Sequence, residues 1–370
     1  MLNLHFLFSD PFINRLNIGD EKLKLIRNGR TIVKEYLQKS LPSALKRKTN
    51  IDFPTQPRFF TQGSYSYKTL NEPCHLPPQQ ADIDYGCYLP TEDWVDNYKT
   101  PKLASKDFFE AVETALYPLC QKCGWRLVSS KSTCVRLIIS EDIHIDIPLY
   151  AIPEKEFNTL IEARKLACDG HLMDSTSARW EKLPTEYVML AHREKGWVKS
   201  DPRLVVDWFN ERVEEYSEQY RRVVRYLKAF RDFQWVSGGP SSLLIMVMVA
   251  DNFRFFKNRD DLALLHTCKE IPQLLSGEIK NPTDENEVLT DRLDDKVLAI
   301  RRFRDLGDAM HEAIHECNSA SQAVEILRKQ FGDRLPSRPD RVKLVDPKDF
   351  ISNSAIIPLA NELIGRTRAG

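Results

Sequence analysis

The chain has 370 residues, of which 42% are hydrophobic and 29% charged, and its formal net charge is zero. This composition provides enough apolar mass for a packed core, excludes wholesale disorder and, at this length, predicts about two domains. Balanced charge argues against a protein that coats nucleic acid, so any anion site must be a local basic patch. The longest apolar run, Leu243–Ala250, is too short to span a bilayer.

The N-terminal residues and the cysteines both favour a cytoplasmic protein. The first residues lack the basic start and small-residue cleavage site of a signal peptide. Eight cysteines in a chain of this length need no disulfide framework. Cys120 and Cys123 form one C-x-x-C, but no second pair follows at zinc-finger spacing. We therefore expect reduced thiols in preference to a structural zinc site.

The first part of the chain predicts mixed α and β structure. Apolar spacing predicts a long helix over 20–40, closed by Pro42, and a second helix over 104–122. Alternating or β-branched runs predict strands at Arg58–Thr61, Ala81–Leu89, Trp125–Val128, Thr133–Ile139 and Ile143–Tyr150.

From about Asp201 the pattern becomes almost wholly helical, with a polar loop at Glu278–Glu287. Helices are predicted near 203–216, 217–234, 241–257, 259–270, 291–306 and 308–331. The chain thus predicts a catalytic-type core over 1–200 and a helical lobe over 201–370. A functional cleft is expected between the two.

Three aspartates on two predicted strands are the first sign of chemistry. Asp82 and Asp84 share one strand face because they alternate, and Asp146 lies with His144 opposite an isoleucine-rich face. If the strands are neighbours, the three carboxylates converge and require cations, and oxygen-only ligands suit Mg²⁺ or Mn²⁺. The alternative is that each aspartate lies at an exposed strand end or in a turn.

A Gly-Ser turn precedes the D-x-D strand. Gln62-Gly63-Ser64 follows a predicted strand, and a helix is expected to begin within Tyr65–Leu70. Glycine lets the backbone approach a phosphate closely, and free N–H groups at a helix start bind anions. A phosphate cradle followed by a metal site provides the parts that nucleotidyl transfer requires.

These motifs carry a family resemblance. The stretches TQGSYSYKT (61–69), ADIDYGCYLP (81–90) and HIDIPLYAIP (144–153) resemble the polymerase-β-type nucleotidyltransferase signature. Together with the helical stretch 200–235, they resemble more narrowly the cGAS/DncV-like nucleotidyltransferases of bacterial anti-phage systems. The resemblance implies an α+β fold, with a polymerase-β-like core of mixed sheet and helices and a C-terminal helical lobe. No zinc-ribbon insertion of the animal type is evident, so activation by double-stranded DNA is not implied.

The resemblance also implies residue roles. Asp82, Asp84 and Asp146 would bind two Mg²⁺ ions, for which Mn²⁺ can substitute, and Asp146 would act as general base. The implied nucleotide contacts are Gln62, Gly63, Ser64, Tyr67, Lys228, Ser242 and Asp291.

Plainer interpretations stand beside several of these roles. Tyr67 is alternatively a packed side chain, and Asp291 a helix cap instead of a reader of a purine edge. Arg221, Arg225 and Lys228 fall within about 60° on one helix face, which either is solvated or binds an anion. His144 is expected to be a packed or cap-bonding residue and not a catalyst.

The leading hypothesis is a bacterial anti-phage synthase that joins two NTPs, purines by family precedent, into a cyclic dinucleotide with release of pyrophosphate. The alternatives are a non-cyclising nucleotidyltransferase acting on RNA, protein or a small molecule, and a non-catalytic nucleotide sensor. The implied partners are the NTP substrates, an effector activated by the cyclic dinucleotide, and a ubiquitin-like conjugating partner acting on Gly370. No membrane partner is implied.

Overall fold

A computed structural model describes residues 1–53, 56–92, 94–95, 100–155 and 185–345. Its strands in chain order are β1 Leu2–Asn3, β2 Arg58–Gln62, β3 Ala81–Thr91, β4 Trp94–Val95, β5 Thr100–Pro101, β6 Arg126–Val128, β7 Cys134–Ser140, β8 Ile143–Pro153, β9 Met189–His192, β10 Gly196–Lys199, β11 Lys280–Asn281, β12 Asp284–Val288 and β13 Lys343–Leu344. Its α-helices are α1 His5–Leu7, α2 Ile13–Arg15, α3 Asp20–Thr49, α4 Gly63–Ser66, α5 Ser105–Cys123, α6 Pro202–Tyr216, α7 Glu218–Gln234, α8 Ser242–Asp251, α9 Asp260–Ser276, α10 Lys296–His311 and α11 Ala320–Phe331.

A mixed sheet of seven described strands forms the core. The strand β8 runs parallel to β3, and β2 pairs antiparallel with the other edge of β3. On its far side β8 pairs with β7 along its first half and with β9 near its end. Ile143, Ile145 and Ile147 of β8 are fully buried beneath α3 and α5, which explains the unbroken apolar face of that strand. The expected α+β fold is confirmed.

The helical lobe includes the first residues of the chain. Leu4, Leu7, Phe8 and Phe12 are fully buried in the apolar cluster that α7 to α11 form. The ring of Phe8 lies 5.2 Å from that of Tyr226, and β1 pairs with β13. The predicted boundary between core and lobe at residue 200 therefore does not hold for the segment 1–16, because aromatic burial fixes this segment to the lobe.

The long N-terminal helix extends beyond its predicted end. The prediction that Pro42 closes this helix is wrong, because α3 continues to Thr49 and stops at Asn50, which has a φ of 58°. Proline removes one backbone hydrogen bond, but Leu37, Leu41 and Leu45 continue the buried stripe on both sides of it. Burial of that stripe outweighs the local cost.

Two other predictions in the lobe need correction. The expected polar loop over 278–287 contains the hairpin β11–β12, whose turn closes when Asn281 Oδ1 accepts the Thr283 N–H at 2.9 Å. The expected helix over 308–331 is interrupted, because Ser319 caps a new helix by accepting the Gln322 N–H. Among the described helices, none is long and apolar enough to cross a membrane.

Candidate active site

The register of four strands brings the predicted acidic residues together. Asp84 on β3 stands opposite Asp146 on β8 and opposite Gln62 on β2. Asp146 in turn stands opposite Arg136 on β7, and Asp82 opposite His144. Directly paired residues project from the same face of a sheet. The expectation that the two aspartate-bearing strands are neighbours is therefore confirmed.

Two basic side chains, Arg136 and His144, contact this acidic cluster. The Arg136 guanidinium donates to both carboxylate oxygens of Asp146, each at 2.6 Å. His144 Nε2 lies 2.9 Å from Asp82 Oδ1, while its Nδ1 lies 3.1 Å from Gln80 Oε1. Desolvation favours protonation of Asp82, but the contact with His144, together with the charges of Arg136 and Lys228, outweighs it and lowers the pKa of this carboxyl.

Among the described residues, no basic side chain forms a hydrogen bond or ion pair with Asp84, although the charges of Arg136 and Lys228 act on it from a distance. Desolvation, together with repulsion from Asp82 and Asp146, raises its pKa to about 8. Ligand atoms of Asp82, His144 and Asp146 lie within 4.8 Å of one another. A cluster of carboxylates with one uncompensated member fits a divalent cation, which would offset the repulsion.

Sequence reasoning missed the roles of Arg136 and His144. The expectation that His144 packs or bonds a cap does not include its contact with Asp82. Its alternation with Asp146 already placed the two on one strand face. Alternation within its own strand places Arg136 on one of the two faces of β7. Only the pairing of β7 with β8 shows that this is the face that carries Asp146.

The Gly63 backbone and the Asp84 carboxylate occupy adjoining space. Gly63 has a φ of 64°, and a Cβ built on it would lie 1.8 Å from Asp84 Oδ2. The helix that follows is a single turn, Gly63–Ser66, which is shorter than the expected helix within Tyr65–Leu70. Thr69 N–H donates to Ser64 O at 2.9 Å and closes the loop. Only glycine allows this close approach of the turn to the acidic cluster.

The acidic cluster lies between two cavities that residues of core and lobe line together. A cavity of about 820 Å³ is lined by Gln62, Gly63, Tyr67, Asp84 and residues of the β11–β12 hairpin. A smaller one of about 290 Å³ is lined by Ser64, Asp82, Lys228 and Ser242. The structure thus brings nine of the predicted site residues to one cleft. Eight of them line one of the two cavities, and the ninth, Asp146, lies beside them because it is paired with Asp84.

The basic stripe of α7 anchors the loop after the Gly-Ser turn. Lys228 Nζ donates to Thr69 O at 2.7 Å, and Arg221 Nε donates to Tyr67 O at 3.1 Å. Arg225 Nε donates to Asn71 Oδ1 at 2.9 Å. Desolvation and the neighbouring guanidinium of Arg231 lower the pKa of Lys228 to about 7. The stripe therefore contacts protein backbone and is not a solvated face.

The predicted nucleotide contacts Ser242 and Tyr67 have different structural surroundings. Ser242 opens α8, where the Ser241 side chain accepts the Leu244 N–H at 3.1 Å. Tyr67 packs with its ring 5.5 Å from that of Phe209, yet it also lines the larger cavity.

Asp291 is not brought to the site. It is exposed in a 3₁₀ turn, Leu289–Arg292, and lines neither cavity. It does not cap the following helix either, because Asp295 accepts the Leu298 N–H there. The β11–β12 hairpin before it occupies part of the segment expected to be a loop. Glu287 and Arg292, and not Asp291, line the larger cavity.

Comparison with known proteins agrees with this geometry. The family model of the nucleotidyltransferase domain of cyclic GMP-AMP synthase DncV-like proteins matches residues 57–150, and that of the cyclic GMP-AMP synthase C-terminal domain matches 217–342. A cyclic GMP-AMP synthase of Escherichia coli strain TW11681 is 33% identical over 306 residues, which cover 76% of this chain and 68% of the relative. The chain belongs to the DncV-like family.

Other members and their structures support the assignment. A Vibrio cholerae cyclic GMP-AMP synthase is 32% identical over 304 residues, covering 75% of this chain and 68% of that protein. The structure of Vibrio cholerae DncV with the linear intermediate pppA(3′,5′)pG aligns with a TM-score of 0.78 at 25% identity, over 93% of this chain and 99% of that one. This DncV-like chain is a nucleotidyltransferase of the cyclic dinucleotide synthase type.

The approach of Gly63 to Asp84 predicts the effect of one added methyl group. Gly63→Ala should lower kcat by about 100-fold or more, because the Cβ displaces either the turn or the carboxylate. Gly124→Ala is the matched control: its φ is 68°, but nothing lies within 4 Å of its Cβ. It should lose about 1 kcal/mol of stability and keep its activity. Equal activity losses in the two variants, measured as pyrophosphate release, would contradict this account.

Proposed function

We propose that this enzyme joins ATP and GTP into cyclic GMP-AMP in a Mg²⁺-dependent reaction that uses two ions. The observation that carries the proposal is the position of the acidic cluster between the two cavities of the cleft. Relatives named cyclic GMP-AMP synthases and the linear pppA(3′,5′)pG bound to a structural neighbour support the choice of purines.

The smaller cavity suits the triphosphate of the donor nucleotide. Ser64 and Ser242 supply hydroxyl groups there, and Lys228 supplies a buried ammonium. With a pKa of about 7, Lys228 is only partly charged without ligand, and a triphosphate would favour its charged form. These residues bind and orient the donor phosphates beside Asp82.

The larger cavity suits the acceptor nucleotide, with Tyr67 at its wall as a stacking surface for a base. Asp146 accepts the proton of the attacking ribose hydroxyl, since each of its two oxygens keeps a lone pair beyond the one that accepts from Arg136. Mg²⁺ held by Asp82, Asp84 and Asp146 would neutralise phosphate charge and acidify that hydroxyl. Asp291, exposed outside both cavities, has no part in this scheme.

The biological setting is proposed on the family alone. We place the reaction in the bacterial cytoplasm, where the cyclic dinucleotide activates an effector as part of an anti-phage response. Gly370, the proposed site for a ubiquitin-like conjugating partner, lies outside the described residues.

The direct test traces each α-³²P-labelled NTP in a full NTP mixture with Mg²⁺, followed by phosphatase treatment. We expect one phosphatase-resistant small product that is labelled from ATP and from GTP, but not from CTP or UTP. The Asp82→Asn/Asp84→Asn variant should lose it, while a variant of the exposed Asp305, Asp305→Asn, should keep it. A linear or macromolecular product, or labelling from a pyrimidine, would overturn the proposal.

Metal binding should depend on pH through Asp84. Because its pKa is raised to about 8, this carboxyl is protonated below that pH and must lose its proton to bind Mg²⁺. Apparent Mg²⁺ affinity should therefore rise by up to about tenfold per pH unit between pH 6 and 8, then level off. Calorimetry in two buffers of different ionisation enthalpy measures the released proton.

Asp84→Asn is the matched control for this titration. It should bind Mg²⁺ more weakly and with little pH dependence over the same range. A wild-type affinity that is constant between pH 6 and 8 would show that Asp84 is already ionised in the free enzyme.

A further inference from the structure

Two tyrosines and a glutamine form a buried polar chain beneath the larger cavity. Tyr88 Oη donates to Gln62 Oε1 at 2.9 Å, and Gln62 Nε2 donates to Tyr150 Oη at 3.2 Å. Tyr88 is fully buried, Gln62 is 6% exposed and Tyr150 is 4% exposed. Each hydrogen bond is thus shielded from water, and the order of donors and acceptors gives the chain a direction.

The backbone around Gly86 makes this chain possible. Tyr88, Gly86 and Asp84 alternate on one face of β3, with Tyr150 and Gln62 on the strands at either side. A Cβ on Gly86 would lie 2.7 Å from the Tyr88 ring and 3.1 Å from Gln62 Nε2. The missing side chain therefore leaves the space in which the tyrosine and the amide meet.

The Tyr150 ring has a fixed position. It stacks on the Tyr88 ring with centroids 4.4 Å apart and an interplanar angle of 8°. Its hydroxyl oxygen accepts from Gln62, so its own hydrogen points elsewhere, and it lines the larger cavity together with Asp84. Burial raises the pKa of Tyr150, so the hydroxyl keeps its proton.

No described residue accepts the hydrogen of Tyr150. A buried donor without an acceptor is costly, and such groups are rare unless a ligand or water completes them. Gln62 has both of its amide heavy atoms engaged with tyrosines, which fixes the orientation of its amide in this chain. We propose that Tyr150 donates a hydrogen bond to an oxygen of the nucleotide in the larger cavity, and that Tyr88 and Gln62 are positioning residues that aim it.

This inference rests on the proposed function, because it requires a nucleotide in that cavity. Tyr150→Phe keeps the stacked ring and removes only the hydroxyl. It should weaken binding of a non-hydrolysable GTP analogue with Mg²⁺ by about three- to tenfold, and raise KM by a similar factor, at an unchanged unfolding midpoint. Tyr85→Phe is the matched control, since Tyr85 is buried on β3, the strand paired with β8, and alternation places it on the face opposite to Asp84 and Tyr88.

The positioning roles are tested by a double-mutant cycle on the same binding constant. Tyr88→Phe keeps the stacked ring and should weaken binding in the wild type, but it should have no further effect in a Gln62→Leu background, because its hydroxyl acts on Tyr150 through the hydrogen bond to that amide. Additive effects on the binding constant would overturn the positioning role, because Tyr88 would then act on binding independently of Gln62. Urea unfolding of the same variants measures any accompanying change in stability.

The two proposals fail in different ways. A wild-type enzyme that binds neither ATP nor GTP analogues would overturn the proposed function together with this inference. If the wild type binds both analogues as expected and Tyr150→Phe binds them with an affinity within about 1.5-fold of the wild type, which is no more than experimental error, the inference alone is overturned.

Discussion

Electrostatic repulsion among three carboxylates is the constraint around which this site is built. The pairing of β3 with β8 forces Asp82, Asp84 and Asp146 onto one patch of the sheet face. Arg136 and His144 compensate two of them, while Asp84 is left with a pKa of about 8. Because this repulsion destabilises the folded protein, the site gains most stability when it binds a cation together with a phosphorylated substrate.

The contact between core and lobe depends on the same region. The loop that follows the Gly-Ser turn gives its carbonyl groups to Lys228 and Arg221 of the lobe helix α7. The turn that approaches Asp84 is therefore held from both sides of the cleft. This arrangement lets the helical lobe set the distance between the proposed phosphate contacts and the acidic cluster.

Sequence alone predicted much of this architecture, for physical reasons that can be named. Alternation in Asp82–Asp84 and His144–Asp146 fixes which side chains share a strand face. A Gly-Ser pair between a strand and the D-x-D strand is compatible with few structures other than a tight turn. Strand pairing is a long-range property, so the guanidinium of Arg136 could not be placed. Local rules also failed where burial outweighed them, as at Pro42 in α3 and in the aromatic segment before it, which packs in the lobe.

A crystal structure with a non-hydrolysable ATP analogue, GTP and Mg²⁺ tests the central claim most directly, namely that the acidic cluster divides a donor cavity from an acceptor cavity. The account predicts triphosphate density against Ser64, Lys228 and Ser242, with the second nucleotide in the cavity lined by Tyr67 and Tyr150. Triphosphate density in the larger cavity, or nucleotides bound away from Asp82 and Asp84, would contradict it.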